Sequence, residues 1–295
     1  MDNKVSLGID IGGTKTAVGL LRDGRLTARA ETPTPTGDRE LLLDAIHGLV
    51  APLLDQAGTI GVCAPGYLDP RSGRIGHASN LPALAGLALA GAVSGRLGRQ
   101  AVAANDADAA ALAEFRLGAA RETGSAFYLT VSTGIGGGFV GPGGLLKGNS
   151  GSAAELGHLC IDPQGAACAC GGRGCLETVA SGTAIAARAT EAYGRPVSTA
   201  TVFSDWRAGS SVAAAVIETA TVALGRGLAA VAQLLDPQVI VIGGSVAVHN
   251  PDFVAETGRQ LAACLHNRPG PEIRLAALGA DAGVIGAALL PLEAA

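Results

Sequence analysis

The sequence predicts an α/β protein of two lobes, each built on a βββαβα core. With 295 residues the chain exceeds the roughly 250 residues that one hydrophobic core usually serves, which favours two domains. One order of elements (strand, glycine turn, strand, turn, strand) occurs twice, and each copy continues as alternating strands and helices. We therefore expect a small N-terminal lobe at 1–104, completed by the C-terminal helix at about 283–295, and a large lobe at 105–282.

The first copy begins with a hairpin that contains a glycine turn at 11–15, and Asp23-Gly24 is typical of a tight turn between strands. The strands predicted in this half cover residues 5–10, 16–21, 26–30, 60–64 and 102–104. Two helices are predicted, at 38–54 and 106–117. The apolar face of the first is expected to contain Leu41, Leu42, Ala45, Ile46, Leu49 and Leu53.

The second copy repeats the plan from Phe127 onwards. Its predicted strands cover residues 127–131, 139–140, 145–146, 239–242 and 273–278. A long helix at 211–235 ends before Pro237, because proline cannot continue a helix. A turn at 279–283 and a closing helix complete the chain.

Composition and charge argue against several classes of protein. The net charge is −4 and no basic block occurs, which argues against nucleic acid as a partner. The longest apolar stretch, 81–93, is shorter than the ~20 residues of a membrane span. The first strand starts at Val5 and leaves no room for a signal peptide, so we expect a cytoplasmic protein. Cys63, Cys160 and Cys264 are expected to be buried, reduced thiols.

A cluster of potential metal ligands lies between residues 158 and 177. Its members are His158, Cys168, Cys170 and Cys175. Three thiols and an imidazole at short spacing can form one tetrahedral structural zinc site, and the intervening glycines allow the chain to turn. The alternative is a loop with three chance cysteines. Glu155 and Glu177 flank the cluster, so a metal that orders it would also orient two carboxylates.

Three glycine turns follow predicted strands and present backbone N–H groups to which phosphate oxygens can bind. Their candidate ligands are Gly12, Gly13, Thr14 and Lys15, then Thr133, Gly134, Gly136 and Gly137, then Gly243 and Gly244. Tight hairpins also use glycine, but three such turns favour a nucleotide site. None is a Walker A loop. Asp10, at the end of the first strand, is the expected partner of Mg²⁺, which prefers carboxylate and phosphate oxygens.

Asn105 and Asp106 stand where a strand meets a helix, and a carboxylate at a helix N-terminus is favoured by the helix dipole. Asp106 is a candidate general base for a phosphoryl acceptor hydroxyl. The alternative is that it only caps the helix, since either residue suits that role. Asp108 has no comparable context and is expected at the surface.

These segments, in their order along the chain, resemble the ROK family of bacterial sugar kinases and sugar-responsive repressors. The segments that carry the resemblance are Asp10–Lys15, Asn105-Asp106, Ser132–Gly138, Ala154–His158 and Cys168–Glu177. The resemblance implies an actin-like, ribonuclease H-like ATPase fold, with ATP in a nucleotide cleft between the two lobes and the sugar at the base of the cleft. The zinc-binding segment and the ATP site are expected in the large lobe. The resemblance implies further that Asp106 is the catalytic base.

The resemblance also implies a set of sugar ligands. They are Asn105, Asp106, Glu155, His158 and Glu177, with Gly66 and Asn80 as contacts from the small lobe. His158 would serve twice, with one ring nitrogen on zinc and the other toward the sugar. Two departures occur: no Trp follows Asn80, and Ser245 stands where a third glycine is usual.

The leading hypothesis is therefore an ATP-dependent kinase that acts on a hydroxyl, expected to be the 6-hydroxyl, of a hexose or amino hexose. The expected partners are the sugar and ATP, with no nucleic acid and no membrane, and we expect a homodimer or higher homo-oligomer. A repressor of the same family is the second hypothesis, although no basic recognition helix precedes Asp10. A zinc-stabilised sugar-binding protein without catalysis is the third.

Overall fold

The structure is a computed structural model that describes residues 5–76, 78, 81–266 and 268–293. Two compact units are present. The first comprises Met1–Glu122, Gly138–Ala154 and Ala280–Ala295, and the second comprises Thr123–Gly137 and Glu155–Gly279. Each unit consists of segments that pack mainly against one another. The lobes inferred from the sequence, 1–104 and 105–282, stay a prediction.

Ten strands are formed by the described residues, and each predicted strand corresponds to one of them. They are β1 (Ser6–Ile11), β2 (Lys15–Arg22), β3 (Arg25–Pro33), β4 (Thr59–Ala64), β5 (Ala101–Asn105), β6 (Ala126–Val131), β7 (Ile135–Gly141), β8 (Gly144–Leu145), β9 (Val239–Gly243) and β10 (Glu272–Leu275).

Ten α-helices are formed by the same residues. They are α1 (Arg39–Val50), α2 (Leu89–Leu97), α3 (Asp106–Arg116), α4 (Glu177–Ala180), α5 (Gly182–Tyr193), α6 (Thr199–Arg207), α7 (Ser211–Leu235), α8 (Ser245–His249), α9 (Pro251–Cys264) and α10 (Ala282–Glu293). Helices α2, α4, α5, α6, α8 and α9 were not predicted from the sequence.

The two sheets share one strand order, which confirms the duplication and the α/β class. The first sheet has the order β3-β2-β1-β4-β5, and the second, taken from the matching end, has the order β8-β7-β6-β9-β10. In the first sheet β2 is antiparallel to β1 and β3, whereas β1, β4 and β5 are parallel. In the second, β7 and β8 are antiparallel, and β6, β9 and β10 are parallel.

In the first unit, helix α10 packs against β1, β4 and helix α3. Ser6, which is buried on β1, donates a hydrogen bond from Oγ to the carbonyl of Ala288 at 2.6 Å. A buried hydroxyl satisfied in this way stabilises the contact between strand and helix. Because α3 packs on α10, it belongs to the first unit, although the predicted boundary at 104 would assign it to the large lobe.

The predicted apolar face of α1 is partly wrong. The helix buries Leu42, Leu43, Ile46 and Val50, whereas Leu41 is 58% exposed. The helix also ends at Val50, so the predicted member Leu53 lies beyond it. The buried stripe is therefore rotated toward Leu43, a position that the i, i+4 spacing alone did not include.

In the second unit, helix α7 packs against α4, α5, α6 and α9. Among the described helices it is the one that is long and apolar enough to cross a membrane, yet most of its apolar side chains are buried in this unit. Burial of that kind is typical of the core helix of a globular domain.

Candidate functional site

The first glycine turn connects β1 to β2 and is closed by a hydrogen bond from Gly12 N–H to the carbonyl of Lys15 at 3.0 Å. Gly13, Thr14 and Lys15 are exposed, so a ligand can reach them. The ammonium of Lys15 is 2.8 Å from the carboxylate of Glu31. The turn therefore presents backbone N–H groups and the hydroxyl of Thr14 to a ligand, and its last residue, Lys15, forms an ion pair with Glu31.

Asp10 lies immediately before this turn, on β1. Its Oδ1 is 3.5 Å from the thiol of Cys63 on β4, a buried group that also lies 3.5 Å from the carbonyl of Gly283. Burial, followed by the charge of Asp106, raises the pKa of Asp10 to about 6, against smaller opposing effects of Cys63, Lys15 and Arg29. Burial is likewise the main reason that the pKa of Cys63 is raised.

Asn105 is the N-cap of helix α3. Its Oδ1 accepts hydrogen bonds from the N–H groups of Ala107 at 2.8 Å and Asp108 at 3.3 Å, while its Nδ2 donates to the carbonyl of Gly66 at 3.0 Å. The amide therefore has one N–H left for a ligand. The alternative that Asp106 is needed as the cap is wrong, because Asn105 performs that role.

Asp106 occupies the first position of α3. The N–H of Ala107, which donates to Asn105, also donates to Oδ1 of Asp106 at 2.8 Å. Burial raises the pKa of Asp106, and the hydrogen bond from Ala107 lowers it by less. Asp10 and Asp106 are close enough for the charge of Asp106 to raise the pKa of Asp10. The first unit thus brings the candidate base and the candidate magnesium ligand together.

Asp108 is not at the surface, and that prediction is wrong. It is 9% exposed, because the first turn of α3 directs it into the unit and not toward solvent. The predicted burial of Cys160 is also wrong, since this thiol is exposed, and Cys264 is only partly buried.

The second glycine turn lies in the second unit and is tied to Glu177. The N–H of Ile135 donates to Oε2 of Glu177 at 2.8 Å. At Gly134 a Cβ atom would lie 2.5 Å from the same oxygen, so a side chain at this position would displace the carboxylate. Thr133 accepts a hydrogen bond at its carbonyl from the hydroxyl of Thr183 at 2.9 Å.

The second turn is shorter than predicted. It occupies residues 132–134, because β7 begins at Ile135, so Gly136 and Gly137 are strand residues. The third turn follows β9: Gly243 ends the strand, and Gly244 precedes α8. The hydroxyls of Ser132 and Ser245 are 2.9 Å apart, which brings the second and third turns side by side. The sequence did not single out this contact.

The four predicted metal ligands converge, and their donor atoms all lie within 4.8 Å of one another. Sγ of Cys168 is 3.7 Å from Nδ1 of His158, and Sγ of Cys170 is 3.7 Å from Sγ of Cys175. A zinc–sulfur bond of about 2.3 Å implies a tetrahedral sulfur–sulfur edge of about 3.8 Å. The donor set and its spacing therefore fit a closed zinc site.

The flanking carboxylates are held by the segments that carry the cluster. The N–H of His158 donates to the carbonyl of Glu155 at 3.0 Å, and Glu177 begins α4 two residues after Cys175. Because Nδ1 of His158 faces the cysteines, Nε2 is the ring nitrogen left for another partner. Of the predicted sugar ligands, the first unit holds Gly66, Asn105 and Asp106, and the second holds Glu155, His158 and Glu177. Asn80 lies outside the described residues.

Comparison with known proteins identifies the family. The model of the ROK family matches residues 6–294. The chain belongs to the ROK family. An N-acetylmannosamine kinase of Citrobacter koseri is 37% identical over 292 residues, which cover 97% of this chain and 98% of that protein.

Two solved structures of ROK family members are similar along the whole chain. A ROK hexokinase from Thermus thermophilus has a TM-score of 0.88 and 39% identity, covering 99% of this chain and 100% of its own. A ROK family glucokinase from Streptomyces griseus, in complex with glucose and AMPPNP, has a TM-score of 0.84 and 31% identity, covering 97% of this chain and 98% of its own. This ROK family member therefore has the fold of the family, as the sequence motifs indicated.

Proposed function

We propose that this chain, an ATP-dependent sugar kinase of the ROK family, transfers the γ-phosphoryl group of ATP to the 6-hydroxyl of a hexose or amino hexose. The observation that carries the proposal is the pair formed by Asn105 and Asp106. Asn105 caps α3, so Asp106 is not required for that purpose. Oδ1 of Asp106 accepts from Ala107, which leaves Oδ2 to accept a proton.

In this mechanism Asp106 is the catalytic base. The hydroxyl of the sugar must lose its proton as it attacks phosphorus, and a carboxylate at hydrogen-bond distance is a suitable acceptor. Burial raises the pKa of Asp106, which makes the carboxylate a better base than one in water. Asn105 would donate its remaining N–H to a hydroxyl of the sugar and so orient the ring beside the base.

The nucleotide is assigned to the glycine turns. The proposed ligands are Gly12, Gly13, Thr14 and Lys15, then Thr133, Gly134, Gly136 and Gly137, then Gly243 and Gly244. Backbone N–H groups of glycine turns suit phosphate oxygens because no Cβ blocks the approach. Gly13, Thr14, Lys15 and Thr133 are exposed, whereas Gly137 and Gly243 are buried. Asp10 would hold Mg²⁺, which would neutralise charge on the phosphates; a carboxylate beside a turn of this kind suits a hard cation.

The remaining sugar ligands are assigned to the segment around the cysteine cluster. Glu155, Glu177 and Nε2 of His158 would accept or donate hydrogen bonds to hydroxyls of the sugar, with Gly66 and Asn80 as further contacts. Zinc, bound by His158 and the three cysteines, would hold these groups in their orientations and take no part in the chemistry. We also propose a cytoplasmic location, no nucleic-acid or membrane partner, and a homodimer or higher homo-oligomer.

A coupled assay of ADP release, run with MgATP and a panel of hexoses and amino hexoses, tests the proposal. We expect turnover that depends on one or a few of these sugars and that stops when Mg²⁺ is removed. ATP hydrolysis at the same rate without any sugar, or no ADP release with every sugar, would refute it.

A further inference from the structure

Cys160 lies opposite Cys175 in an antiparallel pair of backbone segments, outside the set of four metal ligands. The flanking residues form the two backbone hydrogen bonds of the pair, from Ile161 N–H to the carbonyl of Gly174 at 2.8 Å and from Leu176 N–H to the carbonyl of Leu159 at 2.9 Å. The two cysteines are therefore a non-hydrogen-bonded pair, in which both side chains project from one face. A cysteine outside the cluster thus faces a cysteine that belongs to it.

The spacing of such a pair suits a disulfide. Opposed residues of this kind have Cα atoms about 4.5 Å apart, and disulfides join Cα atoms that are about 4.4 to 6.8 Å apart. Gly174 keeps the two segments close, because its φ is +68° and a Cβ atom there would lie 1.5 Å from the carbonyl oxygen of Asp162. Rotation of the side chains is therefore sufficient to bridge the pair.

The two thiols differ in their access to solvent and in their surroundings. Cys160 is exposed, and its thiol donates a weak hydrogen bond to the carbonyl of Arg173 at 3.4 Å. Cys175 is 3% exposed, and its Sγ lies 3.7 Å from that of Cys170 inside the metal cluster. An oxidant in solution reaches Cys160 first, since the susceptibility of a cysteine follows its exposure. Cys175 is then the neighbouring thiol that can resolve the oxidised residue.

We propose that Cys160 is a site of reversible oxidation whose resolving partner is Cys175, with a hydroperoxide as the oxidant. The thiol of Cys160 takes one oxygen atom from hydrogen peroxide as the O–O bond breaks, which gives a sulfenic acid and water. The thiol of Cys175 then attacks the sulfenic sulfur. The S–S bond forms, the S–O bond breaks and the hydroxyl group leaves as a second water. The two thiols are oxidised and the peroxide is reduced.

The disulfide removes a ligand from the metal cluster. Cys175 then supplies no thiolate, so three of the four ligands remain and zinc is bound more weakly. His158 and Glu177, which this segment positions, lose their fixed orientations with the metal. A transient, redox-sensing disulfide of this kind is compatible with the proposed cytoplasmic location. The effect on the site rests on the proposed function, whereas the disulfide can be measured without it.

The test treats purified, reduced protein with hydrogen peroxide. Disulfide-linked peptides are mapped by mass spectrometry, and zinc release is followed with a chromogenic chelator. We expect a linkage between Cys160 and Cys175, release of about one equivalent of zinc, and reversal by dithiothreitol. Cys160→Ser should release zinc at least about tenfold more slowly, because the exposed thiol is gone. Cys264→Ser, at a partly buried cysteine outside this segment, is the matched control and should respond like wild type.

Three results would overturn the proposal. They are a linkage between Cys170 and Cys175, zinc release from Cys160→Ser at the wild-type rate, and oxidation of Cys160 to the sulfinic acid without a cross-link. If the reduced protein holds no zinc, the peptide map alone decides: a linkage between Cys160 and Cys175 supports the modification site, and its absence overturns it. Kinase activity enters neither readout, so failure of the proposed function and failure of this inference are distinguishable.

Discussion

The backbone N–H of Ile135 donates a hydrogen bond to Oε2 of Glu177 at 2.8 Å. This contact ties a proposed sugar ligand to the glycine turn that is proposed to bind phosphate. Glu177, which is proposed to orient the sugar, is thus positioned by the backbone at the end of the second glycine turn.

From this relationship we expect Glu177→Gln to raise KM for the sugar by about tenfold or more while lowering kcat less, because an orienting hydrogen bond to a charged group is weakened. Steady-state kinetics with varied sugar concentration measures the effect. Glu191→Gln, at an exposed position of α5, is the control. A fall in kcat that exceeds the rise in KM would assign Glu177 to the chemical step instead.

Asp106→Asn should lower kcat by roughly 10² to 10⁴ while sugar affinity changes far less, because the amide keeps the shape but cannot accept the proton. Asn105 still caps α3 in this variant, so the fold should be retained. Single-turnover kinetics and a sugar-binding titration separate the two effects. Asp55→Asn, at an exposed position, is the control. A variant with more than about a tenth of wild-type turnover would show that Asp106 is not the base.

The cysteine cluster predicts about one zinc ion per chain, measurable by elemental analysis of active protein. Cys170→Ser should lose the metal, lower the melting temperature and weaken sugar binding, since His158 is released with it. Cys160→Ser is the matched control, because Cys160 is an exposed cysteine in the same segment but outside the cluster. Active protein with less than about a tenth of an equivalent of zinc would contradict the site.

The raised pKa of Asp10 predicts a pH-dependent gain in stability for Asp10→Asn. The pKa is about 6 in the folded protein against 3.8 for the ordinary group, so ionised Asp10 destabilises the fold above pH 6. That destabilisation, at most about 3 kcal/mol, fades as the pH falls from 6 and is absent below about pH 4. We expect the variant to melt higher than wild type at pH 7.5 and equally at pH 4, without Mg²⁺ or nucleotide.

The same variant should lose kinase activity at pH 7.5, since Asp10 is the proposed ligand of Mg²⁺. Greater stability together with lost activity would support a strained functional carboxylate. An equal or lower melting temperature at pH 7.5 would show that burial of the ionised group costs little.

Much of the fold could be predicted because local patterns determine it. Each sequence-predicted strand is present, and the helix at 211–235 has the bounds expected. Turn residues such as Asp23 and Gly24 mark the hairpins, and the duplicated order of elements determines that both sheets are built alike. Helix α2, in contrast, was missed because the residues between its three large apolar side chains are mostly Ala and Gly, which are weak signals of an apolar helix face, although Leu89, Val93 and Leu97 form a buried stripe at i, i+4 spacing.

For the candidate site, the sequence predicted which residues belong to it but not the contacts between them. Spacing along the chain sufficed to group His158 with the three cysteines, because ligands of one metal at short separations constrain each other. Spacing also pointed to Asp10, Asp106 and the glycine turns. It did not reveal that Cys63 lies beside Asp10 or that Ser132 meets Ser245, since those partners are far apart in the chain.

What the sequence alone determined, then, is the order of elements, their duplication and the identity of the reactive groups, because these depend on local periodicity and residue type. What only the tertiary structure decided is which group performs which task. Asn105 rather than Asp106 caps α3, and Asp108 is buried beside a cavity instead of exposed. Such assignments depend on hydrogen-bond partners and burial, and both arise only when distant segments pack together.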